Sequence, residues 1–100
     1  MIVIKINEPI STENELRKRA EFSWKITPKK IKDETHAIVV FKGTILEEYK
    51  IINFGPVSDN PGRIAFNFSP VPNSKLKGFS IDYPTSYPCT VTKKLVINVC

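Results

Sequence analysis

The residues with chemistry to offer are few. The sequence holds one histidine, His36, and two cysteines, Cys89 and Cys100. With an acid such as Asp82, these could form a Cys-His dyad in which the imidazole accepts the thiol proton. No local motif surrounds them, so His36 reads as an ordinary residue at the start of a strand, and the chain is expected to have no catalytic group. Three nitrogen and sulfur ligands, with ten residues between the cysteines, fall short of the four that a structural zinc site needs, and neither metal nor cofactor is expected. The four glycines, Gly43, Gly55, Gly62 and Gly78, are isolated and none opens a helical pattern, which argues against a phosphate-cradling loop. Glu47 and Glu48 are adjacent, so on a regular strand they point to opposite faces and read as solvent contacts rather than a carboxylate pair.

Aromatic and basic residues together form the more informative group. Trp24 stands between Lys25 and a segment carrying Arg17, Lys18 and Arg19, while Phe22, Phe54, Tyr83 and Tyr87 lie near other polar stretches. Exposed rings stack on bases while neighbouring cations neutralise phosphates, an arrangement suited to unpaired nucleic acid. A single tryptophan can equally anchor a helix to a sheet. From Arg17 to Lys32 there are seven cations against the single anion Glu21, so this stretch nets +6 within a chain of net charge +5. Such a concentration focuses potential toward a polyanion, although lysines also keep small domains soluble.

These residues must be carried by short elements. Ile2, Ile4 and Ile6 alternate with Val3, Lys5 and Asn7, predicting a strand buried on one face. Thr12 and Glu15 fit a capping box, and the acids Glu13 and Glu15 precede the cations Arg17 to Arg19, which predicts a helix from about Thr12 to Phe22. Leu16 and Ala20 share its apolar face, and Glu13 with Arg17 and Glu15 with Arg19 have ion-pair spacing. Pro28 permits at most one further helical turn before Glu34.

His36 to Phe41 and Thr44 to Phe54 then read as a hairpin joined by Lys42-Gly43, with one of Glu47 and Glu48 turned inward or set at a bulge. Asn60-Pro61-Gly62 reads as a turn, followed by a core strand from Arg63 to Phe68. Six of the eight prolines lie between Pro56 and Pro88, predicting loops with a short strand at Phe79 to Tyr83, and Lys94 to Cys100 closes the chain as a last strand.

The length suits one domain, here residues 1–100, and 41% apolar with 25% charged residues is ordinary globular composition. No window is long and apolar enough to span a bilayer, and Met1 to Ile6 is too short for a signal-peptide core. Two cysteines predict free thiols in a reducing, cytoplasmic setting.

The order of segments, IVIKIN, AEFSWKI, AIVVFKGTILEEYKI, RIAFNF and LKGFSIDY, resembles small stand-alone proteins of the PUA-like superfamily, relatives of ASCH, EVE and YTH domains. The resemblance implies an α+β fold, a compact PUA-like pseudo-β-barrel of about six strands with one main helix. It also implies a pocket that holds RNA or an extruded, modified base. Carried onto this chain, the pocket residues are Trp24, Arg63 and Ser80, with Ser23 and Lys25 beside the tryptophan.

The expected function is non-catalytic nucleic-acid binding, RNA or DNA, with Arg17, Lys18, Lys29, Lys30 and Lys32 on phosphates. The alternative is a small inhibitor that occupies a protein partner through apolar loop residues such as Val57, Val71 and Phe79.

Overall fold

The computed structural model describes residues 1–7, 10, 12–21, 23–26, 28–81, 89–91 and 97–98. Its centre is a curled mixed sheet, a half-barrel, with helices on one face. The elements are β1 (Ile2–Ile6), α1 (Glu13–Glu21), α2 (Pro28–Ile31), β2 (His36–Phe41), β3 (Thr44–Val57), β4 (Asn60–Pro70), β5 (Ser80–Ile81), β6 (Cys89–Val91) and β7 (Ile97–Asn98). Strand order runs β6-β1-β2-β3-β5-β7, with β4 pairing β3 off this path. Among the described residues no ladder joins β6 to β4 or β7.

β1 lies parallel to β2, with Ile2 beside Ala37 and Ile6 beside Phe41, and the two helices form the crossover that a parallel pair requires. This corrects the expectation of a strand buried on one face. Ile2, Ile4 and Ile6 face the helices, while Val3 is also fully buried and packs with Ile38, Val40, Ile45 and Ile81 on the other side. Strands in parallel pairings are covered on both faces, which is why IVI and AIVV read as runs of apolar residues.

α1 forms where the sequence places it. Thr12 caps it, its Oγ1 accepting from the Glu15 amide at 3.3 Å and its carbonyl from the Leu16 amide at 3.0 Å. Leu16 and Ala20 are buried against the sheet. The Lys42-Gly43 turn has both residues at positive φ, 48° and 80°, as a two-residue hairpin connection with right-handed strand twist demands.

β3 continues to Val57, and its first half pairs β2 while its second pairs β4. Register slips between Val39 and Val40 opposite Leu46, turning Glu47 inward at 6% exposure. A second slip leaves Ile52 unpaired and 54% exposed. The turn of this hairpin is Ser58-Asp59, not the expected Asn60-Pro61-Gly62, which lies inside β4, where residues 61–63 form an irregularity opposite Pro56 and Val57. The edge of β3 between β5 and β4 is sealed by the loop at 71–79, through Val71 N to Glu48 O, Gly78 N to Ile45 O, and Ile45 N to Phe79 O.

The expected strand at Phe79 to Tyr83 appears as β5, and the last strand as β7. Phe22, Asp82, Tyr83, Tyr87, Lys94, Leu95, Val99 and Cys100 lie outside the described residues.

Candidate functional site

The segment 23–26 acts as a short edge strand beside β4. Trp24 and Ile64 exchange both backbone hydrogen bonds, at 2.9 and 2.8 Å, in an antiparallel bridge. Farther along the same edge, the carboxylate of Glu21 accepts from the Phe68 amide at 2.8 Å.

The Trp24 ring turns to the helix side of the sheet and is 3% exposed. Its Nε1–H donates to the Ala20 carbonyl at 2.7 Å, and the Arg19 guanidinium lies 4.8 Å from the ring centroid. The indole therefore anchors α1 to β4 and has no face on which a base could stack, which corrects that expectation. Phe54 is no open platform either. It tilts against Phe66, which continues a stacked series through Phe68 to Tyr49, with successive centroids 6.3, 5.0 and 5.2 Å apart.

Side chains alternate along strands, so the residues flanking the bridge point the other way. Ser23 and Lys25 flank Trp24, and Arg63 and Ala65 flank Ile64, while the bridge itself joins Trp24 and Ile64 alone. Lys25 and Arg63 are both exposed. Arg63 Nη1 donates to the Ser23 carbonyl at 3.0 Å, which fixes the guanidinium over the edge segment. The Ser23 hydroxyl is buried and without a hydrogen-bond partner among the described residues. Behind Ala65 lies its ladder partner Gly55, where an added Cβ would meet nothing within 4 Å.

Ser80 does not join this group. It pairs with Thr44, whereas Ile64 pairs with Pro56, and these positions are twelve residues apart on β3. Ser80 thus sits at the start of β3 and the Trp24–Ile64 bridge beside its far end, and nothing brings the two together. Arg17 is half-buried beside Glu13 and Glu21, all three acting on the Tyr49 hydroxyl, and so stands in an acidic group rather than on an open basic face.

Lys18, Lys29, Lys30 and Lys32 are exposed, and with Lys25 they make no ion pair among the described residues. Several carboxylates, by contrast, are engaged internally. Glu21 holds the Phe68 amide, Glu34 the Met1 ammonium, Glu47 the Lys77 ammonium at 3.3 Å, and Glu48 the Ser74 hydroxyl at 2.5 Å.

Cys89 and His36 do not assemble into the candidate dyad, and the alternative thiol Cys100 and the acid Asp82 lie outside the described residues. Cys89 is a free, buried thiol beside Ile4, burial pushes its pKa up to about 12, and His36 lies two strands away with its Nδ1 2.9 Å from the Thr35 hydroxyl. Among the described residues no cluster of three or more His, Cys, Asp or Glu could hold a metal ion.

A cleft of about 410 Å³, lined by Glu13, Glu47, Pro70, Asn73, Ser74 and Lys77 among others, escaped the sequence reading. Glu47 is not a solvent contact but the member of the Glu47-Glu48 pair that turns inward, as the alternative reading of a bulge had it. The only signal was the broken alternation at Glu47-Glu48, and the partner Lys77 lies thirty residues away. Nearby Tyr49 is fully buried, and its hydroxyl is held well above its ordinary pKa by burial and then by the charge of Glu47.

Set against known proteins, the chain matches no family model, no curated protein and no solved structure.

Proposed function

We propose that this chain is a non-catalytic nucleic-acid-binding module that grips phosphates through Lys18, Lys25, Lys29, Lys30, Lys32 and Arg63. The observation that carries the reading is the imbalance just described. Five lysines within fifteen consecutive positions stand exposed and make no ion pair among the described residues; of the nearby carboxylates Glu21 holds the Phe68 amide and Glu34 the Met1 ammonium, while Glu13, Glu15 and Asp33 are exposed. Fixed cations of this kind release counterions on meeting a polyanion, and that release supplies most sequence-independent affinity.

The absence of an open indole shifts the expected contact from bases to the sugar-phosphate backbone, and so from sequence to charge and shape. We read the half-barrel as PUA-like on the same footing. Its supports are the curled mixed sheet and the order strand, helix, hairpin, strand.

Charge reversal at Lys29 and Lys30 tests the function. Lys29→Glu with Lys30→Glu is expected to weaken binding of RNA and DNA alike, whatever their sequence, and to flatten the dependence on salt. Unchanged affinity at low salt would remove these lysines from the interface.

A second reading, occupation of a protein partner, is favoured by the exposure of Ile52 and Phe79, 54% and 38%. A stoichiometric partner retained through high-salt washing would support it over the first.

A further inference from the structure

The cleft bordered by α1, β3 and the 71–79 loop plays no part in the nucleic-acid reading, and its charge is of the opposite sign. Glu47 is the buried member of its lining. One oxygen of the Glu47 carboxylate accepts from the Glu48 amide at 3.1 Å, the other from the Lys77 ammonium at 3.3 Å. Lys77 is a loosely held partner, its side chain 59% exposed against 8% for that of Glu47. Glu13, at the first position of α1, lines the same cleft, is exposed and makes no ion pair among the described residues. The lining therefore holds two carboxylates and one cation that can swing away.

A second observation points to a ligand. The Tyr49 hydroxyl is buried and has no hydrogen-bond partner among the described residues. Glu47 and Tyr49 sit opposite Val39 and Ala37, both of which face the helices, so the acid and the phenol share a face of β3. The ladder partner of Tyr49 on β4 is Pro70, which also lines the cleft, and the charges of Glu47 and Glu13 both reach the hydroxyl. Its oxygen is an unused acceptor behind the lining. An ammonium has three N–H donors and no acceptor, and Glu47, Glu13 and Tyr49 offer it acceptors. Pro70, Val71 and Pro72 add an apolar wall, on which an aliphatic stem can pack while its charged head keeps polar partners. A metal ion suits the cleft less, since among the described residues no group of three His, Cys, Asp or Glu could hold one.

We propose that this cleft binds a primary alkylammonium ion, whose head replaces the Lys77 ammonium on Glu47 and meets Glu13 as a second carboxylate, with its stem along residues 70–72. A free diamine and the lysine side chain of a peptide share this chemistry. The inference goes beyond the nucleic-acid reading and does not depend on it, because the ligand carries no phosphate.

Backbone amide shifts in two-dimensional NMR test it, during titration with putrescine and, separately, with a capped lysine peptide, against sodium chloride at matched ionic strength. Saturable shifts at Glu47, Ser74 and Lys77 are expected with an amine and not with sodium. Saturation by putrescine alone assigns a free amine, by the peptide alone a lysine side chain, and by both a site open to either. Lys77→Gln removes the resident cation, so it is expected to tighten binding about threefold, the scale of a partly exposed ion pair and a gain that a merely structural role would not produce. Glu47→Gln is expected to weaken binding about tenfold. Glu13→Gln, at an exposed position that the fold does not need, is expected to weaken it about threefold. No saturable shift with either amine, or affinity that Lys77→Gln fails to raise or Glu13→Gln fails to lower, would overturn the site and leave the nucleic-acid reading standing.

Discussion

Trp24 shows how much one side chain's surroundings decide. Its type and its basic neighbours were legible in the sequence, but the direction of its ring was not, because that depends on a bridge to a residue forty positions away. Once paired with Ile64, the indole has to face the same side as Ala20, and its N–H finds the carbonyl there. Trp24→Ala is therefore expected to destabilise the fold by about 3–5 kcal/mol, the range for truncating a buried large aromatic. Wild-type emission is expected to be blue-shifted and protected from iodide quenching. Emission typical of a solvated indole would contradict the burial.

Cys89 makes a second residue-scale case. An unfolded thiol ionises near 9.0, whereas the native thiol keeps its proton to about 12. The native state thus binds more protons across that window, and this contribution to stability is present below pH 9 and lost as pH rises toward 12. Cys89→Val is expected to flatten the alkaline loss of stability in denaturant titrations. An identical alkaline profile in the variant would contradict the assignment.

At the scale of elements, local chemistry carried the sequence reading where it succeeded. Thr12, the acids of the first turn, and the spacing of Leu16 and Ala20 specify α1 without help from distant residues. Lys42-Gly43 likewise specifies its turn, since the connection needs left-handed backbone at both positions. Gly43→Val is expected to cost about 1–2 kcal/mol, the penalty for forcing a branched residue into that conformation. A stability loss within error of zero in urea titration would show that the turn can change type.

What local chemistry could not supply was the parallel pairing of β1 with β2, the three-residue bulge opening β4, and the loop sealing β3. Each depends on partners far apart in sequence. Val3 illustrates the consequence, because alternation placed it outside and the parallel pairing buried it. Glu47 is a divided case: the broken alternation predicts that one of Glu47 and Glu48 turns inward or sits at a bulge, and the bulge does turn Glu47 inward, but its partner Lys77 lies too far along the chain to be read.

For the molecule as a whole, the sequence showed that positive charge is concentrated between Arg17 and Lys32, and composition alone sufficed for that. It could not show which of those cations remain available. Arg17 stands among glutamates around Tyr49 and Arg19 covers the indole, while the lysines stay open and Arg63, from a distant strand, reaches the carbonyl of Ser23. No helix among the described residues is long and apolar enough to cross a membrane, and the account of function rests on the charge that the fold leaves exposed.

The direct test is the affinity of the wild-type chain for a labelled duplex across a salt titration. Binding is expected at low salt, with log affinity falling linearly against log salt at a slope of roughly −0.9 for each phosphate neutralised, and with several phosphates engaged. No binding at low salt, or binding indifferent to salt, would contradict the account.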